Sequence, residues 1–211
     1  MGKTSTFKSW TPGINDSEFF QRYPQKGLIT KMEVRVISLA KLKLDEESVL
    51  WDIGAGSGSL SIEAALMARH GKVFAIEKNP LDVQNIKQNI EKFGVNNIEI
   101  IPVYAPEGLG ALPDPDAIFI GGSGGRLKHI LDYVCPRLKP SGSLIMNAAS
   151  VENLSVAMAV LKKSGWETEI TMVNVARGKT TGAVTRFESL NPVFILSAWR
   201  LPLKVGNLGD R

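Results

Sequence analysis

A chain of 211 residues with 44% hydrophobic and 22% charged side chains has interior enough for one sizeable domain and the make-up of a globular protein. Its net charge of +4, from 25 basic and 21 acidic residues, suits an anionic partner but lacks the basic blocks of a nucleic-acid-binding arm. The lone Cys135 excludes an internal disulfide and fits a reducing cytoplasm, and no apolar run reaches membrane-span or signal-core length.

Residues 1–27 are polar and aromatic, with Pro12, Gly13 and Pro24, and read as an irregular arm. Met1-Gly2 with Thr6 matches the myristoylation pattern, one short enough to arise by chance. Thr30-Lys31-Met32-Glu33 is a capping box, so a helix should begin at Thr30 and bury Met32, Val36, Ile37 and Ala40. A first strand over about 49–53 runs into Asp52-Ile53-Gly54-Ala55-Gly56-Ser57-Gly58, and an amphipathic helix then runs to a stop at Gly71. A second strand, 73–76, ends at Glu77. Asn79-Pro80 supplies the N-cap and first residue of a helix that reaches Gly94. Strands at 98–101 and 117–120 follow, the latter running into Gly121-Gly122-Ser123-Gly124-Gly125. A helix over 126–138, a strand over 143–146 and a helix over 152–163 come next. Two long strands near 166–175 and 192–199 close the domain, joined by a long connection over 177–191. Alternating strands and helices imply a mostly parallel sheet covered on both faces, with the last two strands antiparallel neighbours. The domain thus spans 28–200, between the arm and a tail at 201–211.

The turn after the first strand carries the chemistry. A dinucleotide fingerprint would need glycine where Ser59 stands. Three glycines spaced by two behind an acid resemble instead the S-adenosylmethionine loop of Rossmann-like methyltransferases. That resemblance implies an α/β, class I fold with a seven-stranded, mostly parallel sheet whose last strand is antiparallel. S-adenosylmethionine is then the expected cofactor. Glu77 stands where a carboxylate accepts hydrogen bonds from both ribose hydroxyls. The backbone of Gly54, Ala55, Gly56, Ser57 and Gly58 passes beside the methionine part and the ribose. Asp52 either braces this loop or meets the ammonium tail, Ala105 lies at the adenine edge, and Thr30 either approaches the methionine carboxylate or only caps its helix.

Several acceptor classes are disfavoured. No Asn/Asp-Pro-Pro-aromatic motif follows the fourth strand, Cys135 sits in an apolar helical pattern away from the site, and His70 and His129 are too far apart to suggest a metal motif. Gly27-Leu28-Ile29-Thr30-Lys31-Met32-Glu33-Val34-Arg35, the Asp52–Gly58 loop, Tyr104-Ala105-Pro106-Glu107, the glycine block after strand four, Arg177-Gly178 and Asn191-Pro192 together resemble one family. It is the decarboxylating C15-methyltransferase of cobalamin synthesis, also found as the C-terminal half of precorrin-6Y C5,15-methyltransferase. The likeness spans about residues 13–200 and matches the stand-alone form, which leaves the C5-methylating activity to a separate subunit.

The resemblance implies methylation of a ring-bridging carbon of an anionic tetrapyrrole with loss of carbon dioxide from a neighbouring acetate arm. An electron-rich carbon needs alignment more than a strong base, so no catalytic residue is assigned. Arg35, Arg126, Arg177, Lys179 and Arg186 are the candidate cations for the carboxylate arms, and Gly122, Ser123 and Gly124 would let the flat macrocycle approach the backbone. A homotetramer in the cytoplasm, with no metal, membrane or nucleic acid, completes the expectation. The rivals are a methyltransferase acting on RNA or protein and a SAM-binding subunit without catalysis.

Overall fold

The computed structural model describes residues 11–22 and 29–200. Five helices and nine strands follow in order: α1 (Met32–Leu42), β1 (Val49–Ile53), α2 (Ser59–Met67), β2 (Lys72–Ile76), α3 (Pro80–Phe93), β3 (Ile98–Ile101), β4 (Ala117–Ile120), α4 (Leu127–Arg137), β5 (Ser143–Ala148), α5 (Val151–Lys163), β6 (Glu167–Val173), β7 (Ala176–Thr181), β8 (Val184–Ser189) and β9 (Val193–Trp199). The expected arm over 1–27 is described only over residues 11–22, where Asp16–Glu18 forms one 3-10 turn. Positions 1–10 with the myristoylation pattern, Gly27-Leu28 and the tail 201–211 lie outside the described residues.

Seven strands form one sheet in the order β3-β2-β1-β4-β5-β9-β6. All neighbours are parallel except β9, which runs antiparallel to both β5 and β6. Successive side chains on a strand point to opposite faces, so each central strand feeds two cores. Trp51, Phe74, Ile118 and Leu144 pack with Ile130, Leu131 and Val134 of α4 and Ala157 and Leu161 of α5. Leu50, Val73, Phe119 and Ile145 pack with Leu39 of α1, and with Leu60 and Ile62 of α2. Burial on both sides explains why β1, β2 and β4 read as continuous apolar runs. Chain order reverses between β1 and β4, and a crevice opens there beyond the carboxyl ends of the strands.

Three expectations need correction. The connection over 177–191 is not a loop: β7 and β8 pair there as an antiparallel hairpin, turned at Gly182, whose φ of +63° suits a residue without a Cβ. Its twelve strand positions are all exposed, so no apolar face marks it in the sequence. The capping box at Thr30 does not form either. Helix α1 is capped by Lys31 without a side-chain bond, because Glu33 is drawn to Arg177 and the Thr30 carbonyl accepts from Arg35. Helix α2 ends at Met67, short of Gly71. That glycine instead lies against β1's approach, where a Cβ would come within 2.1 Å of the Ser48 carbonyl.

Candidate active site

The glycine-rich loop is pinched from three sides. The backbone N–H groups of Gly54 and Ala55 donate to the carbonyl of Ile76, the last residue of β2, at 2.9 and 3.1 Å. Gly54 has φ +72°, and a Cβ there would lie 2.4 Å from the Gly122 carbonyl, so the loop and the glycine block after β4 touch backbone to backbone. Glu77 closes the ring. Its buried carboxylate accepts from Gly56 N at 2.9 Å and from Asn79 N at 2.8 Å, leaving further lone pairs on both oxygens.

Beside these segments lies a cleft of about 280 Å3, lined by Gly54, Gly56 and Glu77 and by Ala105, Gly122 and Ser123. Tyr104 reaches over its rim. Its hydroxyl donates to the Gly124 carbonyl, and its ring lies between Lys78 Nζ at 3.9 Å and Arg126 Cζ at 4.7 Å. Arg126 in turn holds Glu107 through two bonds of 2.5 Å, which keeps that exposed carboxyl down at about 2.

Asp52 sits behind the loop. It does not line the cleft. Its Oδ2 accepts from the Ser61 hydroxyl at 2.5 Å, while Oδ1 is buried without a partner. Burial pushes its pKa up to about 7, against the pull of the Ser61 bond and with a smaller push from the Glu77 charge. Ser57 is also buried with an unpartnered hydroxyl. A group bearing vicinal hydroxyls fits this set, a buried carboxylate with open lone pairs beside glycine backbone packed too closely for side chains, and Val103, Ala105 and Ile130 add apolar lining for a flat ring.

A second cleft of about 470 Å3 shares Gly121 as a wall with the first. Thr30 lies here rather than in the first cleft, with Lys31, Asn147 and Asn191, among apolar walls that include Val34 and Val193.

The expected cations divide. Arg35 is no pocket-mouth residue: it is fully buried, bonded to Glu63 at 2.7 Å and Asp16 at 3.2 Å, and it also donates to the carbonyls of Thr30 and Ile14. A cation so enclosed serves the packing of the arm onto α1 and α2. Arg126 does not line the first cleft; it lies over the Tyr104 ring, which does, and is paired with Glu107. Arg177, Lys179 and Arg186 share one face of the β7–β8 hairpin, since residues opposite in register point the same way. Arg177 docks that face on the body through Glu33 and Asp16, at 2.6 and 2.9 Å, and Lys179 pairs with Glu188 at 3.1 Å.

Arg22, Lys78 and Tyr104 at the first cleft, and Lys31 and Asn147 at the second, were not expected from the sequence. Asn147 was within reach, because it stands one residue before the carboxyl end of β5, the end at which open α/β sheets bind ligands. Arg22 carries no signal; its contact with Asp82, at 2.6 Å, exists only in the fold. Cys135 is buried, with its thiol pushed up to about 12, and is no nucleophile. Among the described residues, no three His, Cys, Asp or Glu side chains converge to hold a metal ion.

A family profile described as the precorrin methyltransferase domain matches residues 21–200. The chain is similar to the cobalt-precorrin-6B C(15)-methyltransferase (decarboxylating) of Salmonella typhimurium, 38% identical over 170 residues that cover 80% of this chain and 88% of that one. Among solved structures it is similar to precorrin-6y C5,15-methyltransferase from Geobacter metallireducens, with 46% identity and a TM-score of 0.85 over 90% of this chain and 97% of that one. It is likewise similar to precorrin 8W decarboxylase from Methanobacterium thermoautotrophicum, with 34% identity and a TM-score of 0.82 over 87% of this chain and 98% of that one. The sheet order with its single antiparallel strand is accordingly that of a class I methyltransferase, and the chain belongs to the precorrin methyltransferase family.

Proposed function

We propose that this chain uses S-adenosylmethionine to methylate C15 of a precorrin or cobalt-precorrin, with decarboxylation of the ring C acetate arm. The observation that carries the reading is kinship that runs through both clefts and nearly the whole length of relatives named for that reaction. It favours the reading over an RNA or protein substrate and over a subunit without catalysis.

When bound, the cofactor supplies an electrophilic methyl group on a sulfonium. The chain supplies the seating. Glu77 accepts from the two ribose hydroxyls through the lone pairs that Gly56 and Asn79 leave open. Gly54 to Gly58 present backbone to the methionine part, Ala105 bounds the adenine, and Asp52 braces the loop through Ser61. Gly121, common to both clefts, sets the distance between donor and acceptor carbon, so catalysis rests on alignment. Gly122 to Gly124 keep the passage free of side chains. The hairpin face with Arg177, Lys179 and Arg186, together with Arg126, gives carboxylate arms a cationic border.

The assembly we propose is a homo-oligomer, a tetramer by family resemblance. Phe187 and Val184 are 76% and 54% exposed on the hairpin, and Ile170 and Met172 are exposed on edge strand β6, which suits burial against further copies. A free buried cysteine, and no described helix long and apolar enough to cross a membrane, support placement in the cytoplasm. A separate subunit would methylate C5. Incubation with S-adenosylmethionine and a precorrin carrying the acetate arm tests the reaction. The expected product has one methyl group more and one carboxyl group fewer; neither change, beside an active relative, overturns the assignment.

A further inference from the structure

One polar group in the second cleft has no partner. Asn147 lies in β5, held in register opposite Ile195 of β9. Its Oδ1 is 3.1 Å from the Ser38 hydroxyl, while its Nδ2 is shielded from solvent and bonded to nothing among the described residues. The Ser38 hydroxyl has a single proton and also lies 2.9 Å from the Val34 carbonyl. That carbonyl's second lone pair can take the hydroxyl as well as the helix's own N–H, so the single proton is shared between Val34 O and Asn147 Oδ1. This arrangement fixes the amide with its N–H groups unspent. A donor buried without a partner is disfavoured unless a ligand completes it.

The surroundings say what kind of ligand. Val34, Val173 and Val193 make the nearby walls apolar, and Lys31 is the one charged side chain lining the cleft among the described residues. A neutral amide in apolar surroundings can hold a carboxylate by hydrogen bonds without neutralising it. A cation in the same place would stabilise the charge where it starts and oppose its departure.

We propose that Asn147 donates to the carboxylate of the acetate arm that is lost, and that this cleft is the decarboxylation subsite; the inference rests on the reaction proposed above. The bond between the carboxylate carbon and the adjacent methylene breaks and carbon dioxide leaves. Its electron pair stays on the methylene carbon, delocalised into the conjugated ring, and a proton from water completes a methyl group. Apolar walls favour this direction, because charge leaves the carboxylate for the macrocycle. Ser38 acts through Asn147 as a positioning residue.

The test uses the full chain with S-adenosylmethionine and the acetate-bearing precorrin, reading by mass spectrometry the ratio of methylated acid to methylated, decarboxylated product. Asn147→Asp, which turns the donor into a like charge, should raise that ratio about tenfold or more, and Asn147→Ala by less. Ser38→Ala, which frees the amide to rotate, should raise it about threefold and stands in if Asn147→Asp does not fold. Affinity for S-adenosylhomocysteine should stay within about twofold in each. A wild-type product ratio in these variants, or methylation and decarboxylation falling in parallel, overturns the assignment of Asn147. A wild-type protein that performs neither step overturns the reaction itself, and the two failures are thereby distinct.

Discussion

Replacing Glu77 by alanine removes two things at once, and their sizes can be separated. The buried carboxylate accepts from Gly56 N at 2.9 Å and Asn79 N at 2.8 Å. Hydrogen bonds to a charged group contribute about 1.5–3 kcal/mol each when both partners are buried. Gly56 and Asn79 are both half-exposed, so water replaces part of the loss, and unfolding free energy should fall by roughly 2–4 kcal/mol. For a domain of this size that lowers the melting temperature by roughly 5–15 °C. Losing the charged acceptor for two ribose hydroxyls should separately weaken S-adenosylhomocysteine by about tenfold to a hundredfold. Calorimetric titration below the variant's melting temperature reads the second effect, and thermal unfolding the first. Asn79→Ala is the control: it removes the side-chain acceptor that caps α3 at Leu81 N, 3.0 Å away, costing about 1 kcal/mol of stability while leaving affinity near wild type. Unchanged affinity in folded Glu77→Ala would refute the ribose role. Equal losses of affinity in both variants would reduce Glu77 to a brace for the loop.

Asp52, raised to about 7 by burial, holds its proton in the folded state over a range where the unfolded chain has lost it. The Asp52 contribution to stability should therefore decline as pH rises from about 4 to about 7 and level off above, so wild type should lose stability relative to Asp52→Asn over that range in denaturant titrations; a wild-type-minus-variant difference that does not change with pH contradicts the buried-acid reading. Arg35→Met leaves Glu63 and Asp16 without their buried cation and should cost about 3–5 kcal/mol in urea unfolding. Arg177→Ala, on an exposed pair, should cost less than about 1 kcal/mol; similar costs for the two would show that the buried network is not what holds the arm. Phe187→Lys should reduce the mass seen by light scattering to that of one chain without altering the circular dichroism, and a wild-type protein already monomeric would end the oligomer proposal.

Strands β1, β2 and β4 were legible because burial on both faces leaves near-continuous apolar runs, and α3 because Asn79-Pro80 and Gly94 mark its ends with local chemistry. The loop from Gly54 to Gly58 and the acid at Glu77 could be singled out as a candidate cofactor seat because each carries a local mark, glycines spaced by two behind one strand and an acid closing the next, although the loop's geometry is fixed by the distant Ile76 and Gly122. What escaped notice was decided by distant partners. The β7–β8 hairpin buries neither face and so shows no apolar alternation. Arg35 reads as a surface cation until Glu63, Asp16 and two carbonyls close round it, and Glu33 reads as half of a capping box until Arg177 takes it. Lys31 and Asn147 become neighbours of one cleft only when α1 is laid along β5, with Leu42 beside Ser143 and Ser38 beside Asn147.

A crystal structure with bound S-adenosylhomocysteine tests the central claim most directly. The account predicts ribose hydroxyls on the Glu77 carboxylate, adenine against Ala105, and the sulfur facing Gly121, open toward the cleft that holds Asn147. Density for the ligand anywhere else, or a sulfur turned away from that passage, would contradict it.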